Sequence, residues 1–110
     1  MTDTITVTGL VATNPRHIIT TQGLAISSFR LASTQRLFDR LTNSWIDGDT
    51  NWYTASSFRG LAESVAKNLK KGDRVIIHGR LRIRDWETSE GRGINVEIEC
   101  ETIGIDIAKS

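Results

Sequence analysis

The stretch Asn51–Trp86, NWYTASSFRGLAESVAKNLKKGDRVIIHGRLRIRDW, changes its apolar period twice, and those two changes decide the fold. From Asn51 to Phe58 the residues alternate in twos: Trp52, Thr54, Ser56 and Phe58 share one face and Tyr53, Ala55 and Ser57 the other, as in a β-strand. From Leu61 the spacing widens to four. Leu61, Val65 and Leu69, with Ala62 and Ala66 beside them and Glu63, Lys67 and Asn68 elsewhere, form the one-sided stripe of an amphipathic helix. Lys70-Lys71-Gly72 supplies its stop, with basic side chains at the negative helix end followed by a glycine. Alternation then returns from Asp73 to Trp86, with Val75, Ile77, Gly79, Leu81 and Ile83 facing a core and His78, Arg80, Arg82, Arg84 and Trp86 facing away.

The flanking sequence extends this strand–helix–strand unit. Ile5, Val7, Gly9 and Val11 alternate with Thr4, Thr6 and Thr8 in a half-buried strand, and Gly9 in its interior marks a bend. Asn14-Pro15 ends that strand, a short stretch Arg16–Thr20 follows, and Gln22-Gly23 turns the chain into a second strand, Leu24–Ser33. Its apolar positions are Leu24, Ile26, then Phe29 and Leu31, a switch of phase that predicts a β-bulge near Ser27-Ser28. Residues 34–51 carry Phe38, Trp45 and Asp47-Gly48 without a clear period and read as a long mobile connection. After a tip at Glu87–Gly93, a last strand runs from Ile94 to about Ile107. Five strands with one helix between the third and fourth is the order of the OB-fold, a barrel whose strand face and loops commonly hold oligonucleotides. The expected architecture is all-β: a five-stranded OB-fold barrel, plugged at one end by the helix, as a single domain over residues 1–110.

Composition narrows the functions. A net charge of only +1 means that a case for nucleic acid rests on where basic residues cluster. The lone cysteine, Cys100, lies in an alternating apolar run where a buried thiol is the common outcome, and points weakly to a reducing compartment. No apolar run approaches the roughly 18 residues of a membrane span, and Met1-Thr2-Asp3-Thr4 lacks the pattern of a signal peptide, so a soluble, cytosolic protein is expected. His17 and His78 stand far apart with no Cys/His metal spacing, and no phosphate loop, nucleophile elbow or H-E-x-x-H helix occurs. The expectation is a binding protein with no metal, no cofactor and no catalysis.

The outward stripe of the strand ending at Trp86 is the first candidate surface. Guanidinium groups match phosphate oxygens and an indole offers a face to any base, a mixture suited to sequence-tolerant grip on a single strand. The last strand points Ile94, Val96, Ile98 and Cys100 inward and Asn95, Glu97, Glu99 and Glu101 outward. Cross-strand pairs Arg82–Glu97 and Arg80–Glu99 would then be structural, each contributing ~0.2–1 kcal/mol. Arg84, Trp86 and Arg92 lie beyond most of the acidic stripe and are better placed for nucleic acid. For Trp52 and Phe58, an inward core face and an outward binding face are both open, and the role of Trp45 is open. Lys67, Lys70, Lys71 and Arg74 are accounted for by solvation and the helix end.

Several landmarks occur in order: Ile5-Thr6-Val7-Thr8-Gly9, Asn14-Pro15, Gly23 ahead of Phe29-Arg30-Leu31-Ala32, Trp52 to Phe58 followed by Leu61-Ala62-Glu63, Leu69-Lys70-Lys71-Gly72, and Gly79-Arg80-Leu81 with Trp86. In these the chain resembles the bacterial-type single-stranded-DNA-binding protein family over nearly its whole length. The resemblance implies an OB-fold homotetramer in the cytoplasm, at the nucleoid, wrapping single-stranded DNA with little sequence preference in replication, recombination and repair. It places base-stacking aromatics at Trp52, Phe58 and Trp86, and at Phe38 across a loop of different length. Family members usually continue into a flexible tail with an acidic, partner-recruiting tip. Here the sequence stops at Ala108-Lys109-Ser110, so tail-dependent partners are not inferable. The long stretch around Trp45 is a second departure, expected to alter the DNA path. A primosome-type accessory protein, using the same barrel as a protein-docking dimer with weak DNA binding, is the alternative. An OB-fold nuclease would need clustered carboxylates, which the sequence does not present.

Overall fold

The structure, a computed structural model, describes residues 1–108; Lys109-Ser110 lie outside the described residues. The elements are β1 (Thr4–Val11), β2 (Arg16–Ile19), β3 (Ala25–Asp39), β4 (Ser44–Phe58), α1 (Arg59–Asn68), β5 (Arg74–Thr88) and β6 (Gly91–Ile105). The strands form one sheet in the order β1-β5-β6-β4-β3-β2, and β1 also pairs with β3. Neighbours are antiparallel except β4 and β6, which run parallel from Thr54↔Glu97 to Ser56↔Glu99. The helix α1 lies where the period change puts it, between the strand ending at Phe58 and the strand opening at Arg74.

Among the described residues six strands replace the expected five. The additional one is β2, four residues paired from Arg16↔Ser28 to Ile19↔Ala25 across a turn in which Gly23 adopts φ 85° and its N–H bonds the Thr20 carbonyl. All four β2 residues are exposed, so no inward–outward contrast marks them in the sequence.

The long mobile connection expected over residues 34–51 is instead a β-ribbon. β3 and β4 stay paired out to Asp39↔Ser44. The turn between them is closed by the Asp39 carboxylate, which accepts from the Leu41 N–H and the Thr42 hydroxyl, with Asn43 at φ 53°. Two causes hide this ribbon from a periodicity reading. The register shifts between Thr34 and Arg36, breaking the alternation, and beyond the core both faces of the ribbon meet solvent.

The bulge expected at Ser27-Ser28 is absent. Ala25, Ser27, Phe29 and Leu31 share the buried face in unbroken alternation, and the apparent phase switch arises because the buried residue is a serine. The Ser27 hydroxyl donates to the Ala62 carbonyl of α1 at 2.7 Å and meets His17 Nδ1 at 2.7 Å, so Nδ1 carries the proton in that pair. Ser57, equally buried, donates to the Ser27 carbonyl at 3.1 Å. These bonds bind α1 and β2 to β3 and leave no buried side-chain polar atom unpaired among the described residues.

The core gathers Val7 and Val11 of β1, Phe29 and Leu31 of β3, Ala55 of β4, Val65 of α1, Val75 and Ile77 of β5, and Ile98 and Cys100 of β6, with Leu61 and Leu69 packed against it. Ile83 and Ile94, expected inward, are exposed, because past Leu81 β5 and β6 leave the core as a second ribbon. Ala66 of the helix stripe is likewise exposed. Gly9 permits the sheet's return on itself: a β-carbon there would stand 2.8 Å from the Ala32 carbonyl oxygen and 3.1 Å from the Leu31 side chain.

Two outcomes follow. Burial pushes the Cys100 thiol up to about 12, against a smaller lowering by a backbone hydrogen bond from Ser56. Cys100 should therefore resist alkylation at pH 8 in native protein and react fully in denaturant. Because the unfolded thiol ionises near 9, stability should fall as pH rises from there toward 12, read as a declining denaturation midpoint. Ser27→Ala removes the donor to Ala62 and the acceptor for His17, and thermal melts should register a loss of about 1–3 kcal/mol.

Candidate nucleic-acid interface

The outward side chains of β3, β4, β6 and β5 line up in rungs. Arg30, Thr54, Glu97 and Arg82 are successive partners across the sheet, and Ser28, Ser56, Glu99 and Arg80 form the next rung. At about 4.8 Å between strands, each rung spans about 14 Å. Trp52 and Phe58 bracket these rungs on β4. Tyr53, Ala55 and Ser57 take the inward face, which resolves the choice left open by the sequence: Trp52 is outward and 50% exposed, and Phe58 is outward and part-buried.

Trp52 is not bare. The Arg30 guanidinium carbon lies 5.7 Å from the indole centroid, and Arg30 Nη1 donates to Thr54 Oγ1 at 2.8 Å. The pair is a cation–π contact, worth roughly 0.5–1 kcal/mol at an exposed site. Arg30 is a candidate residue that the sequence alone does not single out. Its signal was its place between inward Phe29 and Leu31, which sends it to the face of Trp52 once β3 and β4 are in register.

Phe58 shares a shallow groove with Ser56, Arg82, Arg84, Glu97 and Glu99. The backbone register matches the expected rungs, Arg82 opposite Glu97 and Arg80 opposite Glu99, but the ion pairs are diagonal. Arg84 Nε meets Glu97 at 3.6 Å and Arg80 Nε meets Glu101 at 3.6 Å. In each, the arginine reaches the carboxylate two residues beyond its direct partner, and a register shift between His78 and Gly79 lies next to the second pair. Both pairs are solvent-exposed on the arginine side and contribute about 0–1 kcal/mol each. The diagonal pairing redistributes the cations: Arg84, which position favoured, is engaged by a carboxylate, whereas among the described residues Arg82, Arg92 and Arg30 have none within 4 Å.

The two ribbons carry the remaining aromatics. On the β3–β4 ribbon Thr34 bonds Thr50, Arg36 meets Asp47 at 3.8 Å, and Phe38 packs edge-on against Trp45 with centroids 5.4 Å apart. Phe38 and Trp45 thus form a cross-strand pair at a ribbon end rather than a loop feature. On the β5–β6 ribbon Trp86, 48% exposed, stands opposite Gly93, and Arg92 opposite Glu87, around an open concavity that also includes Asp85 and Ile94. The structure thus gathers Trp52, Phe58, Arg80, Arg82, Arg84 and Arg30 on one face, and puts Trp86 with Arg92 and Phe38 with Trp45 on separate projections.

Among the described residues no three His, Cys, Asp or Glu side chains converge as a metal site would require. No helix among them is long and apolar enough to cross a membrane.

Comparison with known proteins bears on the family of the whole chain. Residues 2–106 match the single-strand binding protein family. The single-stranded DNA-binding protein 2 of Tropheryma whipplei (strain Twist) is 52% identical over 103 residues, covering 94% of this chain and 68% of that protein. The single-stranded DNA-binding protein of Paenarthrobacter aurescens is 47% identical over 102 residues, 92% of this chain and 60% of that protein. The crystal structure of a small single-stranded DNA-binding protein from Streptomyces coelicolor superposes with a TM-score of 0.91 at 34% identity, covering 99% of this chain and 98% of that one. An outward strand face of aromatic and guanidinium side chains, the matched sequence and the shared fold lead to one assignment: this chain belongs to the single-strand binding protein family.

Proposed function

We propose that the protein binds single-stranded DNA without sequence preference, seating bases on Trp52, Phe58 and Trp86, with Phe38 at the far ribbon, and phosphates on the arginines between them. The observation that carries this reading is the interleaving on one solvent-facing sheet surface: Trp52 and Phe58 flank a rung that begins at Arg30 and ends at Arg82, neither engaged by a carboxylate. Aromatic faces grip any base, and guanidinium groups that no carboxylate holds can replace the counterions of a phosphate chain. Arg84 and Arg80 join by exchanging Glu97 and Glu101 for phosphate, and Arg92 serves the strand beside Trp86.

The sheet, with β1 paired to both β5 and β3, is read as an OB-fold barrel carrying β2 as an addition, and residues 1–110 as one binding domain. Its action is non-catalytic: stacking and charge neutralisation need no reacting group. We further propose replication, recombination and repair as the setting, the cytoplasm and nucleoid as the location, and a homotetramer as the working form; membership of the single-strand binding protein family supports this reading. The protein-docking alternative is not favoured, because the relatives carry the name of single-stranded DNA-binding proteins and the outward aromatics suit bases.

Titration with oligo-dT, followed by tryptophan fluorescence at several salt concentrations, tests the reading. Strong quenching is expected, with a log–log salt slope of about −0.7 per contacted phosphate. Absence of both quenching and salt-sensitive binding would overturn it. Trp52→Ala should weaken binding by about 1–3 kcal/mol with little change of slope. Arg82→Ala should instead flatten the slope by about 0.7. Light scattering should return four chains per particle, a dimer favouring the docking alternative.

A further inference from the structure

Gly93 lies directly across from Trp86 in the β5–β6 ribbon. A β-carbon built on it would stand 2.6 Å from indole Cζ2, 2.8 Å from Cε2 and 2.9 Å from Nε1. Non-bonded carbons rest at about 3.5–4.0 Å, so the indole occupies the space that any side chain at position 93 would need. Backbone conformation does not require this glycine, since Gly93 is absent from the positive-φ residues. Two positions earlier the situation is reversed: Gly91 has φ 154° and nothing within 4 Å of its missing β-carbon. Glycine at 91 serves the turn, and glycine at 93 serves the ring.

The seat also sets what the ring presents. One side of the indole lies on bare backbone while about half of the residue remains open to solvent, beside a concavity that Arg92 lines. The other charged groups around it are Asp85 and Glu87, the latter opposite Arg92. An aromatic covering a strand glycine can also serve the sheet alone. Here the cover sits on a ribbon that has left the core, flanked by exposed Ile94, where little packing depends on it. Resting on the proposed binding of single-stranded DNA, we infer that Gly93 is a positioning residue: its missing side chain is the seat that holds the Trp86 indole in its base-stacking pose.

A double-mutant cycle of Gly93→Ala and Trp86→Ala, read by oligo-dT affinity, tests this. Each single variant is expected to weaken binding, W86A by roughly 5- to 150-fold and G93A within that range, at an unchanged salt slope. The double variant should bind no more weakly than W86A, because without the ring the new methyl meets nothing. Losses that multiply, a G93A protein with wild-type affinity, or a W86A protein with wild-type affinity would each overturn the inference. A DNA-free readout separates this from the functional reading: the indole Nε1–H resonance of Trp86, identified by its loss in W86A, should move in G93A while those of Trp45 and Trp52 stay. A resonance that stays in place overturns the seat. Wild-type protein that fails to bind oligo-dT overturns the DNA reading, whatever the resonance does.

Discussion

Near its end β1 changes partner. From Thr4 to Leu10 it pairs with β5, and at Leu10 and Val11 it pairs with β3. This double commitment turns a ladder of strands into an enclosure, and it requires close approach at Gly9, where any side chain would strike the Ala32 carbonyl. The loop after α1 secures the same place: the Gly72 N–H donates to the Val11 carbonyl and the Val11 N–H donates to the Asp73 carbonyl, each at 2.8 Å. Val11, Leu31, Val75 and Ile77 are fully buried as a result, and the outward faces of β3 to β6 acquire a fixed curvature on which Trp52, Phe58 and the arginine rungs stand.

Legibility in the sequence follows from that enclosure. Where a strand borders it, one face is dry and the other wet, so two-residue alternation reports orientation; Val75 to Arg82 could be read directly. Where strands run past it, both faces are wet and the signal fades. Ile83 and Ile94 then look like core residues and are not, and residues 34–51 look like a loop although they pair. Ser27 misled for a different reason: a buried hydroxyl satisfied by Ala62 and His17 is polar in composition and interior in position. Arg30 and the diagonal ion pairs needed tertiary register, which no single strand contains.

The charge pattern of the outward face has its own logic. Arginines and glutamates alternate across β5 and β6 in near balance, in keeping with a net charge of +1. A face of this kind does not attract polyanions by bulk potential, so in the proposed binding mode stacking would provide much of the grip and the arginines would act locally. Ion pairs such as Arg84–Glu97 and Arg80–Glu101, both solvent-accessible, can be exchanged for phosphate at little cost. Binding that rests on aromatics and exchangeable pairs is tolerant of base identity, because every base has a π-face and every nucleotide one phosphate.

The hydrogen bond between Thr6 and His78 joins residues 72 apart in the sequence. Chain closure over that length is entropically costly before any contact compensates for it, and topologies dominated by such pairings fold in milliseconds to seconds rather than microseconds. During synthesis β1 emerges first and must wait for β5, while the local β2–β3 and β3–β4 pairings are already available. In that interval the edges that β1 will cover are unpaired, and unpaired strand edges are where a folding chain is open to association with a neighbour.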